Sequence, residues 1–236
     1  MIDPATEEMD TGAYLRPFAT ASLAARVADA IVDAIAGGEL QPGQRLIETE
    51  LAGALEVSRV PVREAVKTLE AQGIVRSSPH RGAHVVPLDD ARIDRICEAR
   101  LALERLALPG AVAAFIAVPA RLRELDALVA RMEGLTSSRA WLEVCKADLA
   151  FHRTFIVASG NDIVALLWEA LARHVLIVFG REIRYERLAA KLGAHHRELR
   201  RLFAGGDMVG LAAELEKHIM RLRLGVAADG AGTLGN

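Results

Sequence analysis

Apolar residues recur along this 236-residue chain in two regimes, with short helical runs broken by turns up to Val86 and nearly unbroken helical spacing from Ala91 to Gly225. In the first regime, Leu23 to Ala36 predicts a helix, and Pro42-Gly43 predicts a turn because proline presets φ and glycine tolerates positive φ. Thr49 to Leu55 then places Leu51, Ala52 and Leu55 on one helix face. Past Glu56-Val57, Ser58 stands where an N-cap belongs and Pro61 falls within the first turn of a second helix. Val62, Ala65, Val66 and Leu69 make its apolar stripe, and Gly73 closes it. Ile74-Val75-Arg76, followed by Ser77 through Val86, predicts two short strands around a basic tip at Arg81-Gly82.

The second regime has almost no strand signal. Its periodicity predicts helices over Ala91–Leu106, Pro109–Phe115, Pro119–Gly134, Ser138–Ser159, Ile163–Val178, Ile183–Phe203 and Asp207–Leu224. The expected fold class is mostly α: an N-terminal winged helix-turn-helix over 21–88 and a C-terminal all-α bundle of six or seven helices over 89–226. The boundary falls at Pro87-Leu88-Asp89-Asp90, where a proline stops the strand and an aspartate caps the next helix. Residues 1–20 and 227–236 lack sustained periodicity and are expected to be loosely ordered tails.

Charge changes the picture only locally. The 29 Lys and Arg nearly balance the 31 Asp and Glu, so a basic surface must come from clustering. Arg59, Arg63 and Lys67 supply it at i, i+4, i+8, beside the apolar stripe of the second helix. Arginine suits phosphate and the guanine edge through its two-pronged guanidinium. Taken alone, the same ridge also reads as a solvated face neutralised by Glu64 and Glu70. Cys97 and Cys145 lack paired spacing and are expected to be reduced, buried thiols. The N-terminus shows acids and no basic-then-apolar signal pattern, and Leu108 to Ala120 is short and carries two prolines. A cytoplasmic protein without a membrane span is the expectation.

The run PGQRLIETELAGALEVSRVPVREAVKTLEAQGIV resembles the DNA-binding domain of GntR-family bacterial transcription regulators, the likeness extending over roughly Ser22 to Pro87. The resemblance places DNA contacts on Ser58, Arg59 and Arg63, with Lys67 on the same ridge, and on a wing around His80, Arg81 and Gly82. Some relatives carry an arginine after the glutamate that is Glu48 here; this chain has Thr49, so base readout is expected to rest on Arg59 and Arg63.

The histidines of the helical part point to chemistry of another kind. Asp148 and His152 stand at i, i+4, His195-His196 lie on a later helix and His218 on the last. Three imidazoles and a carboxylate are borderline ligands that suit zinc, nickel or manganese. A hydrogen-bonded pair on a helix surface would explain Asp148 and His152 equally well. The segments DLAFHRTFIVASGND, AHHRELRRLFAGGD and LEKHIMRL resemble the FCD ligand-binding domain of the FadR-like subfamily. That resemblance implies a divalent metal ion on Asp148, His152, His196 and His218, with His196 fitting better than His195. It further implies a small carboxylate effector completing the coordination sphere, with Arg100 facing the cavity; His174 and Arg181 are added as expected lining residues. An intrahelical pair of Arg100 with Glu104 is the competing reading at that position.

The expected activity is therefore that of a homodimeric transcriptional regulator on a palindromic double-stranded operator, most simply a repressor released by its effector, and not an enzyme. Two alternatives remain at this stage. One is a purely structural metal; the other is a metal-dependent enzyme, which lacks an HExxH or comparable glutamate base.

Overall fold

A computed structural model describes residues 22–78, 82–183 and 186–221 of the protein. The expected tails lie outside that set, as do His80 and Arg81 at the wing tip. α1 (Leu23–Gly37) starts at Ser22, whose hydroxyl accepts from Ala25 N. α2 (Glu48–Ala54) and α3 (Arg59–Ala71) follow, and Val62, Ala65, Val66 and Leu69 of α3 are buried. Gly73, at φ +70°, ends α3 in the left-handed region, with Ile74 N donating to Leu69 O.

Two strands were expected in the wing and three are present. β1 (Arg45–Leu46), β2 (Val75–Ser78) and β3 (Gly82–Val85) form an antiparallel sheet in the order β1-β3-β2. β1 is too short for its alternation to register in sequence; it forms because β3 offers a free edge, with Arg45 opposite His84 and Leu46 opposite Ala83. Glu70 fastens the sheet to α3 by accepting from both Ser77 N and Ser77 Oγ.

The helical part holds six α-helices among the described residues: α4 (Asp90–Ala117), α5 (Leu122–Ser137), α6 (Trp141–Ala158), α7 (Asp162–Glu182), α8 (Glu186–Gly205) and α9 (Met208–Met220). A 3-10 turn at Pro119–Arg121 links α4 to α5. The break predicted before Pro109 is absent, because α4 runs straight through the proline. Pro109 forfeits one main-chain bond, a cost of about 3 kcal/mol. Burial of Ala107, Leu108, Ala111, Val112 and Phe115 on the same stretch offsets it. Conversely, the helix expected from Ser138 starts at Trp141, since the chain first turns at Arg139 with φ +57°.

α4 occupies the middle of the bundle and packs against α6, α7, α8 and α9. α7 is long and apolar enough by composition to cross a membrane, yet Trp168, Ala172, Val175, Leu176, Val178 and Phe179 on it are buried within the protein. It also meets α1 of the winged helix at close range: a Cβ on Gly180 would fall 2.4 Å from Ala36 O. The two parts thus share one apolar core through α1 and α7.

Candidate functional site

Three helices carry the conspicuous polar cluster of the core. α6 presents Asp148 and His152 one turn apart, α8 presents His196, and α9 presents His218, all of them buried. One ligand atom from each falls within 4.8 Å of the others. Asp148 Oδ1 is 3.0 Å from His196 Nε2, 3.5 Å from His218 Nε2 and 3.9 Å from His152 Nε2. His152 Nε2 and His218 Nε2 stand 3.1 Å apart. The residue-level alternative, a pair exposed on a helix surface, does not describe this arrangement.

The outer nitrogens decide which way the rings present their lone pairs. His152 Nδ1 is held at 2.6 Å by Glu104 Oε2, and His196 Nδ1 donates to Leu192 O at 2.9 Å. Both rings therefore aim Nε2 at Asp148, the tautomer a metal ligand needs. Asp148 Oδ1 and His196 Nε2 have no hydrogen bond of proper geometry despite their closeness. Lone pairs crowded in a dry pocket repel one another unless a cation lies among them. The donor set, the 3.0 Å approach of His196 to Asp148, the 3.1 Å approach of His152 to His218 and these orphaned atoms fit a divalent ion bound at about 2.0–2.2 Å from each ligand. Phe151, edge-on to His196 at 4.7 Å, and Phe155, at 5.5 Å from His152, form apolar walls.

Charges around the cluster are arranged to keep the ligands ready. Burial would raise the Asp148 carboxyl, but His152 and Arg100 beside it hold it well below the ordinary carboxylate range. Burial, with Arg100 nearby, lowers His152, and burial together with Arg221 lowers His218 well below the usual imidazole value. Burial thus favours the neutral form of His152 and His218 beside an ionised Asp148. Arg100 donates from Nε to Glu104 Oε1 at 2.8 Å and from Nη2 to Asp148 Oδ2 at 3.3 Å. The intrahelical pair weighed for Arg100 is present, and a bond to a metal-ligand candidate accompanies it. Glu104 also accepts from Trp168 Nε1 at 3.1 Å. Sequence reasoning missed Trp168 and Arg221, and noted Glu104 only as a partner for Arg100.

His174 and Arg181, expected to line the effector pocket, stand elsewhere. They lie on the face of α7 that meets the winged helix: His174 Nε2 bonds Gln72 O at 3.0 Å and Arg181 Nη1 donates to Leu88 O at 2.7 Å. Arg181 borders a cleft of about 200 Å³ between α1 and α7, together with Ile35, Leu40 and Ile177. Helical spacing placed His174 on this helix and left Arg181 in the break after Val178, whereas α7 runs on to Glu182; it could not say which neighbour that face meets. The seam has further polar ties, Arg173 to Asp29 and Gln72, Arg92 to Gly73 O, and Lys146 to Asp33 at 2.8 Å. Lys146 precedes Asp148 by two residues on α6.

At the other end of the molecule, Arg59 and Arg63 project from the start of α3 with side chains 59% and 52% exposed, both beside Glu48. Lys67 pairs with Glu64. Ser58 caps α3 by position only, its hydroxyl making no capping bond. Gly82 opens β3, and Arg45 Nε lies 3.2 Å from where a Cβ on Gly82 would stand. Strand register sets Arg45, His84 and Arg76 side by side across the sheet, a basic row that sequence spacing did not reveal.

Comparison with known proteins gives this arrangement a family. The model for bacterial regulatory proteins of the gntR family matches residues 23–85, and that for the FCD domain matches residues 95–221, more than half of the chain. The chain belongs to the gntR family and carries an FCD domain. A regulator from the TAR-I ttuE-ttuC' intergenic region of Agrobacterium vitis is 34% identical over 56% of this chain and 78% of its own. The gluconate operon transcriptional repressor of Bacillus subtilis is 30% identical over 64% of this chain and 61% of its own. Other curated relatives are matched over as little as 33% of their length. Among solved structures, E. coli McbR/YncC superposes with a TM-score of 0.75 at 22% identity, covering 89% of this chain and 99% of the other. This likeness shows the shared fold, and the family matches place the buried Asp148–His152–His196–His218 cluster within the FCD domain and the Arg59–Arg63 ridge within the gntR domain.

Proposed function

We propose that this protein is a transcriptional repressor whose affinity for a palindromic operator is set by a small carboxylate bound at a divalent metal ion in the FCD domain. The observation that carries the reading is the buried cluster of Asp148, His152, His196 and His218, with Asp148 Oδ1 and His196 Nε2 orphaned at its centre. These four residues would hold the ion, and with four protein ligands a divalent ion of the zinc, nickel or manganese class offers an oxyanion a further coordination position. The names of the relatives, a gluconate operon repressor among them, support regulation over catalysis.

DNA binding is assigned to α3 and the wing. Ser58, Arg59 and Arg63 would enter the major groove, Lys67 would reach phosphate, and His80, Arg81 and Gly82 would touch the adjacent backbone. Arg59 and Arg63 must then leave Glu48, a modest cost for exposed pairs. A homodimer would match a two-fold operator, and the exposed stripe of Ile163, Leu166 and Leu167 on α7 suits the subunit contact. Such a protein acts where the DNA is, in the cytoplasm.

Coupling between the ends requires a ligand that binds two domain arrangements unequally. α6 joins Asp148 and His152 to Asp33 of α1 through Lys146, and α7 joins Trp168 to Asp29 and Gln72 through Arg173. Small movements at the cluster have a stiff route to the winged helix.

Fluorescence anisotropy on a fluorescent operator tests the reading. Wild type binds with steep salt dependence, Arg63→Ala loses about 1–3 kcal/mol, and a carboxylate weakens binding only in metal-loaded protein. A carboxylate panel without effect on DNA affinity or melting temperature, with metal or with chelator, would leave the metal a purely structural role.

A further inference from the structure

Arg221 follows the ligand candidate His218 by three residues, at the end of α9. That spacing puts the two side chains on one helix face about 4.5 Å apart along the axis. The Arg221 side chain is buried, only 9% exposed, and its Nε and Nη1 have no hydrogen-bond partner among the described residues. Its charge acts on His218 and His195 and is itself acted on by Asp148, Arg100 and Glu214. The guanidinium is therefore buried on the His218 face of α9 and not turned toward water.

A buried guanidinium with open donors is costly. Among the described residues no carboxylate bonds either nitrogen, and the unpartnered Asp148 Oδ1 faces the cluster histidines. Glu104 and Asp148 are engaged by Arg100, and Glu214 is taken by His195 and Lys217. Arg100, the residue expected to clamp an effector, has thus committed Nε and Nη2 to protein carboxylates, whereas Arg221 keeps two donors. Charge counting points the same way. Around the cluster Arg100 and Arg221 offset Glu104 and Asp148, and Lys217 offsets Glu214 at the rim, so a divalent ion adds two positive charges that a dianion would neutralise.

We infer that Arg221 is the anion-binding, specificity-determining residue of this chamber, gripping an oxyanion group of a dianionic effector while the ion on Asp148, His152, His196 and His218 takes another. The inference rests on the metal-centred sensor proposed above. Two sources share the chemistry, a dicarboxylate and a phosphate, because each presents paired oxygens to a guanidinium fork.

Isothermal titration of the full-length protein, zinc-loaded and chelator-treated, with succinate, butyrate and inorganic phosphate separates the outcomes. Wild type binds succinate or phosphate at least about tenfold more tightly than butyrate, and Arg221→Met loses about tenfold or more for the dianion while keeping wild-type zinc stoichiometry. The preferred probe tells a carboxylate from a phosphate effector. In the absence of ligand, Arg221→Met melts no lower than wild type, since an unpaired buried charge has been removed. Equal dianion affinity in variant and wild type, a lowered ligand-free melting point in Arg221→Met, or no binding of any probe to wild type overturns the inference. Wild type that takes up no zinc but binds a dianion through Arg221 in chelator would instead sink the metal reading and leave Arg221 standing.

Discussion

At Glu104 one buried carboxylate meets three donors, Arg100 Nε, Trp168 Nε1 and His152 Nδ1. Burial alone would raise its pKa, yet His152 and Arg100 hold it below the usual carboxylate value, so it stays ionised and orients His152. Carboxylates behind a ligating histidine typically contribute 10–100-fold to metal affinity. Glu104→Gln keeps the shape and removes the charge, and zinc affinity measured by competition with a chelating dye is expected to fall by roughly that factor. Unchanged affinity would show that the ring is oriented by packing alone. The Asp148–His152 pair was legible from its spacing. Glu104 was not legible in this role, because an Arg at i−4 makes it look like half of an ordinary surface pair. Only the crossing of α4 with α6 and α7 turns it toward His152 and Trp168.

Among the elements, α7 does two jobs. One face carries Trp168 toward the ligand cluster, and another carries Arg173, His174, Gly180 and Arg181 against the winged helix. Gly180 is the point of closest approach, leaving no room for a methyl group beside Ala36 O. Gly180→Ala must push α1 and α7 apart, which costs about 1–3 kcal/mol for an overpacked contact. A lowered midpoint in denaturant unfolding would register it, and an unchanged midpoint would mean that the helices separate freely. Helical periodicity predicted α7 itself, but helix–helix contacts are made by faces, and a sequence shows faces without their partners. That limit misplaced His174 and Arg181. It also put a break at Pro109, where buried neighbours keep the helix intact.

For the whole molecule, buried neutral imidazoles link the fold to pH. Burial lowers His152, His174 and His218, in the last case well below the ordinary value. Their unfolded-state value is about 6.5, so below that pH the unfolded chain binds protons that the folded protein refuses. Metal-free protein is therefore expected to be most stable above about pH 6.5 and to lose stability as the pH falls through it. Denaturant titrations in chelator at neutral and mildly acid pH check the sign; stability that holds or rises on acidification would contradict it. The sequence by itself determined the stripes that make α1, α3 and the bundle, the Arg59–Arg63 ridge, and the i, i+4 pairing of Asp148 with His152. These depend on local spacing and on residue chemistry, both of which are written along the chain. The tertiary structure alone decided that Arg100 is occupied by protein carboxylates, that Arg221 keeps open donors, and that His174 faces the winged helix. Each of those outcomes depends on which charges meet after helices distant in sequence pack together. A buried charge is settled by its neighbours, and neighbours exist only in the fold.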